Sequence, residues 1–130
     1  MIDCFEVRGT RDPAAWLSIP AALEFMKQHN WGEFAKNSDL LARKTAETII
    51  RLTGIPLFGS PNYCAPQMVT IPLPECDVED LKRQLYETFS IEVPVFRWKG
   101  HCILRISIQA YNTKEDVTRL IEALTKILKL

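Results

Sequence analysis

The sequence lacks most of what would announce a chemistry. It holds no G-x-S-x-G, no Walker phosphate loop, no G-x-G-x-x-G and no H-E-x-x-H. Nucleophile-elbow hydrolysis, P-loop phosphoryl transfer, dinucleotide binding and zincin hydrolysis therefore have no template here. Its two histidines, His29 and His101, form no paired ligand motif with Cys4, Cys64, Cys76 or Cys102, and no C-x-x-C occurs. Only His101 and Cys102 are adjacent, and neighbours in sequence rarely share one tetrahedral ion. Charge of either sign is not in excess: 16 Lys and Arg stand against 16 Asp and Glu. That balance gives no electrostatic case for binding nucleic acid or an anionic membrane. No apolar stretch approaches the ~20 residues of a membrane span. The opening Met-Ile-Asp-Cys-Phe-Glu-Val-Arg is acidic and has no apolar run, unlike a signal peptide. The expectation is a cytoplasmic protein with reduced, mostly buried thiols and with neither nucleic acid nor membrane as partner.

What is present has the balance of a globular chain. Of 130 residues, 47% are hydrophobic and 25% charged, which predicts one domain over 1–130 that buries about two-thirds of its unfolded surface. Asp12-Pro13 announces a helix, and Trp16, Ile19, Leu23 and Met26 share one of its faces, with a kink expected at Pro20. Asn30 and Glu33 suggest a capping box for a second, longer helix carrying Phe34, Leu41, Thr45, Ile49 and Leu52, which Gly54 ends. Gln67 to Ile71 reads as a strand stopped by Pro72 and Pro74. Asp77 caps a helix with Val78, Leu81, Leu85 and Phe89 along one stripe. Ile91 to Phe96 reads as an edge strand because of Pro94, and Trp98-Lys99-Gly100-His101 as a turn. Cys102 to Gln109 is the strongest strand pattern. Thr113 and Asp116 cap a last helix with Val117, Leu120, Ile121, Leu124 and Leu128. These elements predict an α+β fold: a small, mostly antiparallel three-stranded sheet covered by about four helices.

Arg105 stands out within the last strand. Side chains alternate, so Leu104, Ile106 and Ile108 face one way while Ile103, Arg105, Ser107 and Gln109 face the other. A guanidinium in mid-strand is held on a rigid backbone and offers a planar fork to a carboxylate. On alternation alone the favoured reading is a solvated arginine on the wet face of an antiparallel sheet.

Arg105-Ile-Ser-Ile-Gln-Ala-Tyr-Asn-Thr113, followed by an acidic helix start, resembles the C-terminal end of class V aminotransferases. These are fold-type-I pyridoxal-phosphate enzymes, among them cysteine desulfurases and isopenicillin N epimerase. At the other end, Arg8-Gly-Thr-Arg-Asp-Pro-Ala-Ala-Trp16, running into Ile-Pro-Ala-Ala-Leu23, resembles the epimerase branch. The resemblance spans essentially the whole chain and implies the small C-terminal domain of such an enzyme. It implies that Arg105 grips the α-carboxylate of an amino-acid substrate. It also implies that Gly9 and Thr10 form a loop reaching the cofactor phosphate in the neighbouring subunit of a homodimer. Asn112 and Thr113 keep their ordinary duties of turn and cap.

Two departures follow from the same resemblance. The family's large domain, with its Schiff-base lysine, is expected upstream of what is here. Pyridoxal phosphate is therefore expected in the complete enzyme and not on this chain alone, which needs a large cofactor-binding domain or second subunit as partner. Desulfurases also carry a nucleophilic Cys on a longer loop before the arginine strand, whereas Gly100-His101-Cys102 here leads straight into it. Cys102 and Arg105 are an odd number of residues apart and face opposite ways, so Cys102 reads as a buried thiol. Trp16, Met26 and Trp31 are candidates for an apolar face that such a partner would cover. The alternative from another class is a non-catalytic α+β binding or dimerisation module.

Overall fold

The computed structural model describes residues 12–60 and 65–130. Two short helical segments, α1 (Ala14–Leu17) and α2 (Ile19–Gln28), precede the 23-residue α3 (Trp31–Thr53). There follow β1 (Met68–Leu73), α4 (Val78–Phe89), β2 (Val95–Trp98), β3 (His101–Ser107) and α5 (Lys114–Leu128). The chain divides into two compact units, 1–32 and 33–130.

In the first unit the expected kink is a break. Ser18 separates α1 from α2, and Pro20, which has no N–H to donate, falls in the first turn of α2, where none is needed. The Asp12 carboxylate accepts from the Ala14 N–H at 2.9 Å, as its capping position predicted. Trp16, Leu17, Leu23 and Phe25 are each more than half exposed. Trp31 is half-buried.

The second unit is built on a sheet of order β1-β3-β2, antiparallel throughout, with β3 in the centre. Lys99 and Gly100 both adopt positive φ, 47° and 84°, the two-residue hairpin turn whose twist suits its flanking strands. That turn pairs Trp98 with His101 and sets the register of β2 on β3. Val69, Ile71 and Leu73 of β1, Val95 of β2, and Cys102, Leu104 and Ile106 of β3 form one buried face. Three helices contribute to the same core. Ala42, Ala46 and Ile49 come from α3, Val78, Leu81 and Leu85 from α4, and Val117, Leu120, Ala123 and Leu124 from α5. This is the α+β fold expected, with a three-stranded antiparallel sheet and helices on its core face.

Helix ends explain why the elements stop where they do. Asp77 accepts from the Glu79 and Asp80 N–H groups at the start of α4. Thr113 and Asp116 form a reciprocal capping box on α5. Gly54, at φ 70°, donates its N–H to Ile50 O and ends α3 in the left-handed turn that glycine adopts without strain.

Three local expectations are corrected. Asn30 is not an extended N-cap; it sits at φ 50° and its N–H reaches back to Lys27 O, closing α2 instead of capping α3. The buried stripe of α3 is Ser38, Ala42, Thr45, Ala46 and Ile49, while Phe34 and Leu52 are exposed and Leu41 half-buried. Small side chains let this helix lie close to the core, which moves its bulky residues to the flanks. Finally, Pro72 does not stop β1: it pairs with Ile103 inside the strand, tolerable because β1 is an edge.

Asp39 ties α3 to the start of β1. Its carboxylate accepts from the Arg43 side chain at 2.8 Å and from the Gln67 N–H at 3.2 Å. The bond from Arg43 holds the Asp39 carboxyl below its ordinary pKa, with the Gln67 N–H adding to it against the cost of burial. A depressed carboxylate contributes stability above its unfolded pKa of about 3.9, and this is lost as pH falls through the lower folded value. Asp39→Asn is expected to cost about 1–2 kcal/mol at neutral pH and to lose less stability than the parent below about pH 4. Chemical denaturation at pH 7 and pH 3 checks both statements.

Candidate substrate site

Strand β3 alternates between fold and surface. Its core-facing residues Cys102, Leu104 and Ile106 are buried, while His101, Arg105 and Ser107 on the other face are exposed. Arg105 lies mid-strand with Thr70 as its cross-strand partner on β1, and its backbone N–H donates to Pro94 O at 3.0 Å. The backbone beneath the guanidinium is therefore bonded and paired.

Among the described residues the guanidinium itself has no partner in the fold. Arg43 pairs with Asp39, Arg51 donates to Thr48, Arg83 pairs with Asp80, and Arg119 donates to Phe89 O. Arg97 pairs with Glu75 and donates to the Cys76 and Gly100 carbonyls. Arg105 alone among the described arginines has no side-chain hydrogen bond or ion pair to another described residue. Arg97 shows what a structural arginine on this sheet looks like: it braces the β1–α4 connection against β2, and it holds the Glu75 carboxyl below its ordinary pKa.

The face around Arg105 is not simply wet. Ile103 points the same way as Arg105, as expected, yet it is only 1% exposed and stands apart from the main core. Its cross-strand neighbours Pro72 and Phe96 flank it. Phe58, from the segment after α3, stacks near Trp98 and His101 with ring centroids 5.6 and 5.0 Å away. Together Phe58, Thr70, Phe96, Trp98 and Ile103 line a cavity of about 280 Å³. Sequence reasoning missed this feature. The alternation of Phe96 and Trp98 along β2 hinted at an aromatic outer face, but the arrival of Phe58 is a tertiary event.

Gly9 and Thr10 lie outside the described residues. Cys102 is buried on the core face, opposite to Arg105, as its parity predicted. Its Sγ donates to Cys76 O at 3.2 Å and accepts from the Cys76 N–H at 3.3 Å. Burial, then the contact with Cys102, pushes the Cys76 thiol up to about 12. Neither thiol is placed to attack a molecule on the Arg105 face. Such a Cys76 holds far less thiolate near neutral pH than an ordinary cysteine. Alkylation of Cys76 and Cys102 by iodoacetamide, followed by mass spectrometry, is expected to run at least about a hundredfold slower than that of the unfolded chain. Equal rates would contradict the buried-thiol geometry. Among the described residues no cluster of His, Cys, Asp and Glu could hold a metal ion, and no helix is long and apolar enough to cross a membrane.

The fold is shared with a solved enzyme: 8-amino-7-oxononanoate synthase from Francisella tularensis superposes with a TM-score of 0.63 at 21% identity, over 84% of this chain and 31% of that one. The likeness shows that the α+β architecture is that of a part of this solved chain. Sequence narrows the class. The model of the aminotransferase class-V family matches residues 5–120, and the chain belongs to that family. Isopenicillin N epimerase of Amycolatopsis lactamdurans is 32% identical over 126 residues, covering 95% of this chain and 32% of that protein. A probable chloroplastic L-cysteine desulfhydrase of Arabidopsis thaliana is 32% identical over 138 residues, covering 93% of this chain and 29% of that protein. The resemblance to class V and its epimerase branch is borne out, and the chain spans about a third of the length of the curated relatives it matches.

Proposed function

We propose that this chain acts as the C-terminal small domain of a pyridoxal-phosphate-dependent enzyme similar to isopenicillin N epimerase, and that it orients an amino-acid substrate through its carboxylate. The observation that carries the reading is Arg105, whose backbone is fixed on the central strand and whose guanidinium is committed to no other described residue. Such a fork matches a carboxylate in bidentate fashion, which a lysine cannot do. In the complete enzyme the cofactor would supply an electron sink for the α-carbanion. This domain's part is to bind the carboxylate and hold the amino acid in one orientation.

The described residues do not fit a role in holding that cofactor covalently. A Schiff-base lysine is typically desolvated, and no lysine of this chain is buried. The lysine, like most phosphate ligands, is assigned to a large domain that pairs with this one, in a homodimer. Gly9 and Thr10 are proposed to reach the cofactor phosphate of the neighbouring subunit. The exposed apolar side chains of α1 and α2, Trp16, Leu17, Leu23 and Phe25, are proposed to pack on the large domain.

Incubation of the chain with pyridoxal phosphate and then borohydride is expected to leave no stoichiometric reduced adduct. Peptide mapping that found one lysine fully modified would overturn the division of labour. A non-catalytic binding module is the alternative, and membership of the aminotransferase class-V family favours the enzyme reading over it.

A further inference from the structure

Resting on that reading of Arg105, we propose that the cavity beside it is the specificity pocket, and that the substrate is an α-amino acid with a bulky apolar side chain, aromatic or branched. Position comes first. Thr70, on the cavity wall, is the cross-strand partner of Arg105, and Ile103, its floor, is two residues away on the same strand face. Same-face neighbours on a strand lie about 7 Å apart. That is the span from a carboxylate to the far part of the same amino acid's side chain. A ligand gripped by Arg105 can lay its side chain over Ile103.

Size and chemistry agree. A cavity of ~150 Å³ lined by apolar side chains is enough to bind benzene, and this one measures about 280 Å³. Phe58, Phe96, Trp98 and Ile103 supply apolar and aromatic surface, and among the described lining residues Thr70 alone supplies a hydroxyl. None of the described lining residues is charged, so a second carboxylate or an ammonium on the substrate side chain would be desolvated there without a partner among them. A small polar side chain would leave the space unfilled. The arrangement of one cation beside an apolar hollow fits a ligand with one anionic end and one apolar end.

Phe58 closes the wall from outside the sheet. It is half exposed, as is Trp98, and the two rings meet in a tilted geometry.

The test uses the 130-residue chain and three probes: 3-phenylpropanoate, propanoate and 3-phenylpropan-1-ol. Binding is followed by the indole N–H resonance of Trp98, assigned with Trp98→Phe. The pocket predicts that 3-phenylpropanoate shifts this resonance and binds at least about tenfold tighter than propanoate. Thr70→Phe, an exposed strand position where an aromatic residue is well accommodated, fills the hollow and removes that advantage. Phe58→Ala opens the wall and also reduces it. Arg105→Ala weakens 3-phenylpropanoate to the level of the alcohol. Equal affinity for the two acids, both lost in Arg105→Ala, would overturn the pocket and leave the carboxylate anchor standing. Binding of 3-phenylpropanoate that is indifferent to Arg105→Ala would overturn the anchor, and the pocket's role with it. No shift of the Trp98 indole with any probe would overturn the pocket outright.

Discussion

Arg105→Lys in the complete enzyme is expected to lower kcat/KM for the amino-acid substrate by about 30- to 150-fold. Lysine keeps the charge but replaces a planar fork with a point, so one of two parallel charged hydrogen bonds is lost. A charged hydrogen bond of this kind is worth roughly 2–3 kcal/mol, which converts to that range. Arg105→Ala should fall further, because the carboxylate would then be held by nothing this domain supplies. Steady-state kinetics on the two variants checks the order, parent above lysine above alanine. Near-parental activity in both would mean that the carboxylate is bound elsewhere.

The second large effect belongs to the residue beside it. Leu104→Ala is expected to cost about 2–5 kcal/mol of folding stability, a large fraction of the total for a domain of this size. Leu104 is fully buried on the central strand, with Ile71 and Val95 as cross-strand partners on either side. Truncation removes a methyl-rich side chain from the middle of a packed layer whose neighbours are themselves fixed by strand pairing. The cavity cannot collapse easily, so the cost should sit toward the upper end. Urea denaturation gives the number. A loss below about 1 kcal/mol would mean that the sheet's core face is not packed as described.

These two adjacent residues show how much was legible in the sequence and why. Alternation along Cys102 to Ile108 is a local property of an extended backbone, and the structure keeps it, with Leu104 inside and Arg105 outside. The hairpin at Lys99 and Gly100 and the caps at Asp77 and Thr113 were readable for the same reason: each is decided within four residues. The break at Ser18 was read only as a kink, because Pro20 alone does not say whether the helix bends or restarts. On α3, size was mistaken for burial. Phe34 and Leu52 fit a helical stripe as well as Ala42 and Ala46 do, and only the closeness of the opposing core chooses the small residues.

The site was half legible. Arg105 was singled out by its place on the strand, but alternation alone favoured a wet-face residue, and it is the resemblance to class V aminotransferases that reverses this. The structure adds that each other described arginine is engaged with a described residue and this one is not. The hollow beside it could not be read at all. It needs Phe58, from the segment after α3, to meet Trp98 of the β2–β3 hairpin across the outer face of the sheet.

The central claim is that Arg105 serves a ligand and not the fold. Urea denaturation of Arg105→Ala and Arg105→Lys on the 130-residue chain tests it most directly. Exposed and without an ion pair among the described residues, Arg105 should be replaceable with a change within about 0.5 kcal/mol in either variant. A loss of several kcal/mol in both would instead be the behaviour of a buried structural ion pair and would contradict the account.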